Sequence, residues 1–182
     1  MTRSLHATDA AAASLLDVPL TSVDGTSTSL RAFVGPAVVV FVRHFGCIFC
    51  RERAAEVRGH AAAIAGAHAR IVFVGTGTAP MAAAFAREHA DGLPVLGDPT
   101  KRVFELAGMR RGLGTVLRFG MVRNLLRAMR RGHRQTKVQG DPWQQGGVLV
   151  LDGNGAVVHR QVDRAAGDAI DWARVVAAIP GR

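Results

Sequence analysis

Apolar residues in this chain gather in short continuous runs and in longer stretches of helical period, and strict alternation is scarce. Residues 37–42 (AVVVFV) and 70–75 (RIVFVG) are β-branched runs with almost no polar interruption, the pattern of parallel strands buried on both faces. The first of them is expected at the centre of a sheet. Residues 47–65 carry Ala54, Val57, Ala61 and Ile64 at three- and four-residue spacing, with Glu52 and Glu56 early, and predict a helix. Thr78 and Pro80 open a second helix that runs to His89, before Gly92 stops it. Strand, helix, strand, helix in that order calls for right-handed crossovers onto a mostly parallel sheet.

The flanks carry antiparallel signals. Residues 20–23 and 26–30 surround Asp24-Gly25, a hairpin expected at the sheet edge. Residues 94–96 suggest a short strand, and Asp98-Pro99-Thr100 leads into a short helix that reaches Leu106 and ends at Gly108. Strands over 147–151 and 156–162 are joined by Asp152-Gly153-Asn154-Gly155, and a helix over 168–179 closes at Pro180. The order ββ-βαβα-(insert)-ββα predicts an α/β fold: one domain over 17–182, preceded by an extension over 1–16.

Composition narrows the class without changing the outline. The chain has 182 residues, 48% of them apolar, 20% charged and 5% aromatic, with no tyrosine. That suits a single soluble domain with a real core and excludes wholesale disorder or a collagen-like repeat. No stretch approaches the roughly 18 apolar residues of a membrane span, and the N-terminus does not read as a secretory signal. A reducing, cytoplasmic setting is expected.

The charge is uneven. The formal net charge is +9, yet nine basic residues and no acidic one lie within residues 110–137, so the remainder is neutral. Leu113, Val116, Leu117, Phe119, Met121, Val122, Leu125, Leu126 and Met129 are interspersed there, which fits amphipathic helices broken near Gly120. This reads as a basic helical insertion at about 110–137. In the simplest case its apolar side covers the body and its arginines are solvated; otherwise it meets an anionic membrane surface or an acidic partner. Aromatic stacking residues are nearly missing, which argues against nucleic acid.

The chemistry sits in Cys47-Ile48-Phe49-Cys50, where a buried strand hands over to a helix. A thiol at a helix N-terminus faces unpaired N–H groups and the positive end of the macrodipole, and both favour the reactive thiolate. A second thiol one turn on can close an intramolecular disulfide. Zinc is a poor alternative, since there is no third cysteine and no histidine pair with ligand spacing. Two inert core thiols are the plainer alternative.

Residues 39–52 (VVFVRHFGCIFCRE) and 140–147 (GDPWQQGG) together resemble the peroxiredoxin-like branch of the alkyl hydroperoxide reductase and thiol-specific antioxidant (AhpC/TSA) family. The likeness runs from about Val18 to Ile179. It implies a thioredoxin-like fold with an N-terminal hairpin, and antioxidant or thiol-disulfide activity. The chain departs from true peroxiredoxins, whose active loop resembles Pro-x-x-x-Thr-x-x-Cys. On that template Cys50 takes the peroxide-reacting place and Cys47 stands where the threonine belongs. On the thioredoxin template Cys47 attacks and Cys50 resolves. The proline before Cys47 is missing, and Gly146-Gly147 stand where thioredoxins carry a cis-proline.

Physical argument favours Cys47 as attacking thiolate, because the first residue of a helix is the more exposed and the better served by orphan N–H groups. Cys50 would resolve. Arg43 could hold the thiolate or a peroxide oxygen by a charge-assisted hydrogen bond. His44 could assist proton transfer or be structural, and Gln144, Gln145 and Gly146 are expected across from the cysteines, the glutamines as amide donors or as turn caps. Trp143 is expected to pack beside that loop, and Thr76 to be an ordinary loop residue. The expected activity is reduction of a hydroperoxide or a disulfide, with electrons from another dithiol protein and with no metal, flavin or nucleotide. The rival is a non-catalytic thioredoxin-like module whose basic insertion docks a partner or an anionic membrane.

Overall fold

The run of residues 37–42 forms a strand because β-branched side chains suit the pleat, and it lacks alternation because both of its faces are covered. In a computed structural model, which describes residues 15–33, 35–112, 114 and 120–181, it is β3 (Ala37–Val42). Six further strands complete the sheet: β1 (Leu20–Thr21), β2 (Ser27–Thr28), β4 (Arg70–Gly75), β5 (Val95–Gly97), β6 (Gly147–Leu151) and β7 (Val157–Val162). Their order is β2-β1-β5-β4-β3-β6-β7. β3 pairs in parallel with β4, and β4 with β5, while β6 and β7 run antiparallel on the other side. This is the thioredoxin-like arrangement that the resemblance implied. The N-terminal hairpin is present but short, since the chain turns into a 3-10 helix at Leu30–Phe33.

Helices cover both faces. They are α1 (Ile48–Gly66), α2 (Ala79–Phe85), which continues into a π turn at Ala86–Ala90, α3 (Arg102–Leu106), α4 (Gly120–Arg130) and α5 (Trp172–Ala177). Val38, Val40 and Val42 point into one apolar cluster with α1, α2 and α5. Ala37, Val39 and Phe41 point into a second, with Phe104 of α3 and with Leu15 and Leu16. Each fully buried Val or Phe contributes roughly 1.5–3 kcal/mol of transfer free energy, so β3 anchors the domain from both sides. The closing helix is shorter than its sequence pattern, because Asp171 accepts the Arg174 N–H and caps it one turn late.

The same register sets up the site. Val42 lies opposite Gly75, so β3 and β4 end together. The Phe45 ring then crosses above them, and a Cβ at Gly75 or Gly77 would come within 2.5 or 2.7 Å of it. The glycines leave room for the ring, which holds the turn that delivers Cys47 to α1. The proposed N-terminal extension lies outside the described residues except for Leu15 and Leu16. Leu113, Val116, Leu117 and Phe119 of the insertion also fall outside them.

Candidate active site

Cys47 is the N-cap of α1, in extended conformation (φ −75, ψ 130). Its carbonyl accepts the N–H groups of Cys50 and Arg51, each at 3.1 Å, which places Cys50 one turn further along the same helix edge. Both cysteines are free thiols. Cys47 is only 1% exposed and Cys50 4%, so the expectation that Cys47 is the more exposed of the two is corrected. The cause is a strap over residues 135–140, running from the insertion back towards β6. Its Gln135 amide donates to the Gly46 carbonyl at 2.9 Å and accepts the Ile48 N–H at 3.1 Å. Phe45 donates to the Gln139 carbonyl at 3.0 Å, and His44 bridges Gly140. A Cβ on Gly46 would collide with the Lys137 carbonyl, so glycine is what lets the strap lie this close.

Sealed though they are, the sulfurs do not sit in hydrocarbon. Arg43, one residue beyond β3 and itself 7% exposed, donates from Nη2 to Cys47 Sγ at 2.8 Å. Its other nitrogen reaches the Pro142 carbonyl at 3.4 Å, and the guanidinium stands 5.5 Å from the Phe49 ring centre. Burial on its own would raise the Cys47 pKa; the Cys50 thiol hydrogen bond and the Arg43 charge outweigh it and hold Cys47 well below the ordinary thiol value. Cys50 is pushed the other way, by burial and by the neighbouring Cys47 sulfur. The pair is thus polarised, with Cys47 driven towards the thiolate and Cys50 towards the thiol. The backbone contribution also differs from expectation: the Ile48 N–H is taken by Gln135, and it is the Cys50 N–H that assists the thiolate.

The remaining candidates divide. His44 is buried, and burial lowers its pKa, so the imidazole is neutral at pH 7. Its Nδ1 accepts the Gln139 N–H at 3.4 Å, which ties it to the strap. The amide of Gln144 donates to the carbonyls of Met109 and Arg110, while Gln145 accepts the Arg110 N–H and donates to the Asp163 carbonyl. Both glutamines therefore pin backbone to backbone, which fits the turn-cap alternative of the two given for them. Gly146 lines a small cavity of about 10 Å³ with Cys50, Arg53 and Asp163. There a Cβ would come within 2.7 Å of the Phe41 carbonyl.

Several residues escape the sequence reading. Thr76 is buried and donates to the Arg43 carbonyl at 2.6 Å while accepting the Asp141 N–H at 2.6 Å, so it fixes the backbone that carries the guanidinium. Arg53 and Asp163 form a buried two-point ion pair (2.9 and 3.0 Å) beneath Cys50. Arg53 was legible in one respect only, since it shares the buried face of α1 with Cys50, Ala54 and Val57. Glu52 is 3% exposed and holds the insertion: Arg127 grips both of its oxygens at 3.0 Å and Arg131 adds a third contact at 3.0 Å. Met121, Leu125 and Ala128 pack on the apolar cluster beneath α4 and Arg123 and Arg130 are exposed, as in the simplest expectation, but Arg127 and Arg131 turn to the body, because a carboxylate buried on α1 needs counter-charge. Among the described residues, no group of three His, Cys, Asp or Glu is arranged to hold a metal.

Known proteins share this architecture. A peroxidoxin of Mycobacterium tuberculosis, BcpB, superposes with a TM-score of 0.64 at 22% identity, over 88% of this chain and 89% of that one. In sequence, the chain is 29% identical over 141 residues to the thioredoxin-like protein AAED1, chloroplastic, of Arabidopsis thaliana, covering 72% of this chain but only 57% of the plant protein. It is 27% identical to mouse peroxiredoxin-like 2C, over 84% of this chain and 74% of the mouse protein. The model of the AhpC/TSA antioxidant enzyme family matches residues 60–165, more than half of the chain, from the middle of α1 to just past β7. That match lies downstream of Cys47 and Cys50 but spans more than half of the chain, and with it the chain belongs to the AhpC/TSA antioxidant enzyme family.

Proposed function

We propose that this protein is a thiol peroxidase in which Cys47 attacks a hydroperoxide and Cys50 resolves. The observation that carries this reading is the Arg43 guanidinium at 2.8 Å from a buried Cys47 sulfur, with a protonated thiol one turn away. The Cys47 thiolate displaces alkoxide from the O–O bond, a proton goes to the leaving oxygen, and the products are an alcohol and Cys47 sulfenic acid. The Cys50 thiol then condenses with the sulfenic acid, forming the disulfide and releasing water. A dithiol protein returns the disulfide to two thiols, as a reducing compartment such as the cytoplasm would favour.

Burial favours a hydroperoxide over a protein disulfide as the oxidant. With the sulfurs 1% and 4% exposed, a two-atom O–O group needs only a small opening beside the strap, whereas a protein disulfide would need the strap displaced at the attacking step, an opening that the recycling dithiol protein requires only after the disulfide has formed. Thiol titration with and without hydrogen peroxide tests the cycle. Wild type is expected to lose both thiols and gain one internal disulfide. Cys47→Ser is expected to lose the fast phase, and Cys50→Ser to accumulate a sulfenic acid that a dione probe captures. A fast Cys47→Ser and an inert Cys50→Ser would reverse the assignment.

A further inference from the structure

We propose that the outer face of α4 docks this protein on an anionic lipid bilayer. At 100° of rotation per residue, Val122, Leu126 and Met129 fall within a sector of about 60° on this helix. They are 60%, 49% and 58% exposed, whereas Ala128 on the opposite side is fully buried and Asn124 donates to the Ala166 carbonyl at 3.0 Å. The helix is fixed from its inner face, by Arg127 and Arg131 on Glu52, and offers the solvent an apolar stripe. Arg130 and Arg123 border that stripe, about 40–60° further round. Both are exposed, and neither shares in the Glu52 cluster. No acidic residue occurs between residues 110 and 137.

An apolar ridge edged on one side by cations, on a helix lying flat on a domain, is what the boundary between headgroups and acyl chains accommodates: the side chains enter the apolar zone and the guanidiniums stay at the phosphates. A second copy of the chain fits poorly. Two such faces would set arginine against arginine, and three half-exposed side chains fall far short of the roughly 800 Å² per partner that a stable interface buries. No helix among the described residues is long and apolar enough to cross a membrane, so the contact would be peripheral. It is independent of the peroxidase reading.

The test is co-flotation of the full chain with phosphatidylcholine vesicles, with and without phosphatidylglycerol. Binding is expected only with the anionic lipid. Arg123→Gln with Arg130→Gln should weaken it about 30-fold, taking each basic residue near the surface at roughly 1 kcal/mol. Val122→Ser, Leu126→Ser and Met129→Ser together should weaken it at least tenfold and leave a remnant that high salt abolishes. Unchanged thermal melting and thiol titration would show that these exposed substitutions spare the fold. The proposal is overturned if wild type ignores anionic vesicles, or if the triple serine variant binds them as well as wild type. It is equally overturned if the stripe proves to mediate self-association, or capture of an acidic polypeptide, without lipid binding.

Discussion

Replacing Arg43 by Met keeps the bulk of the side chain and removes the charge that faces Cys47. At 2.8 Å and 7% exposure the contact is little screened by salt. A hydrogen bond to a charged group contributes about 1.5–3 kcal/mol, so the thiolate loses stabilisation of that order. The full loss does not reach the rate, because a more basic thiolate is a better nucleophile with a Brønsted coefficient of about 0.4–0.5. Below the parent thiol's pKa, where the ionised fraction takes the whole loss, the net expectation is a roughly 4- to 20-fold slower reaction with hydrogen peroxide, shrinking as the pH rises past it. At alkaline pH, where the sulfur is ionised in both proteins, Arg43→Met should equal or exceed the parent. The assay is stopped-flow peroxide consumption across pH in the Cys50→Ser background, whose hydroxyl preserves a donor to the sulfur, alongside the ultraviolet absorbance of the thiolate. An unchanged thiolate titration in Arg43→Met would refute the reasoning. A rate that falls equally at every pH would place Arg43 on the peroxide instead of on the sulfur.

Other consequences can be measured directly. Glu52→Ala removes the carboxylate shared by Arg127 and Arg131, both of which can rehydrate; a stability loss of roughly 1–3 kcal/mol is expected, with faster amide exchange confined to α4 and the strap. Gly146→Ala forces a Cβ against the Phe41 carbonyl and the Asp163 carboxylate, and urea unfolding should show a loss of about 1–3 kcal/mol. His44 has its pKa depressed by burial, so its contribution to stability is complete above the unfolded value of about 6.5 and is lost as pH falls through the lower folded value. The unfolding free energy from urea titration should drop on acidification with a slope of up to about 1.4 kcal/mol per pH unit, and His44→Gln should flatten that part of the profile. The reduced protein should also gain stability as pH rises from the lowered Cys47 pKa towards the ordinary thiol value of about 8.5, because over that range the unfolded chain still holds the proton that the folded state has released; the disulfide form should not.

The central strands and the cysteine-bearing turn were readable because their signals are local. A β-branched run with no alternation means burial on two faces, and β3, β4 and β6 follow it within a residue. Arg43 was found for the same reason, lying four residues from Cys47 across a single turn. What stayed hidden is what the fold joins from afar. Gln135 reaches Ile48 across 87 positions, and Arg53 reaches Asp163 across 110. Nothing in the composition of residues 110–137 marks which arginines answer a buried glutamate and which face solvent. Helix phase places Met121, Leu125 and Ala128 against the core, and Glu52 adds Arg127 and Arg131 to that side by requiring counter-charge.

The guanidinium beside Cys47 has an electrochemical consequence. Any two-electron oxidation that ends in a Cys47–Cys50 bond erases the negative charge to which Arg43 is matched. Arg53 has its own counter-ion in Asp163, so Arg43 is left with a carbonyl and an aromatic ring for company. That mismatch favours the dithiol member of the couple, and each tenfold of preference raises the midpoint potential by about 30 mV. If Cys47 and Cys50 cycle as proposed, their disulfide would yield readily to modest electron donors and would act as a forceful oxidant towards any dithiol that reaches it.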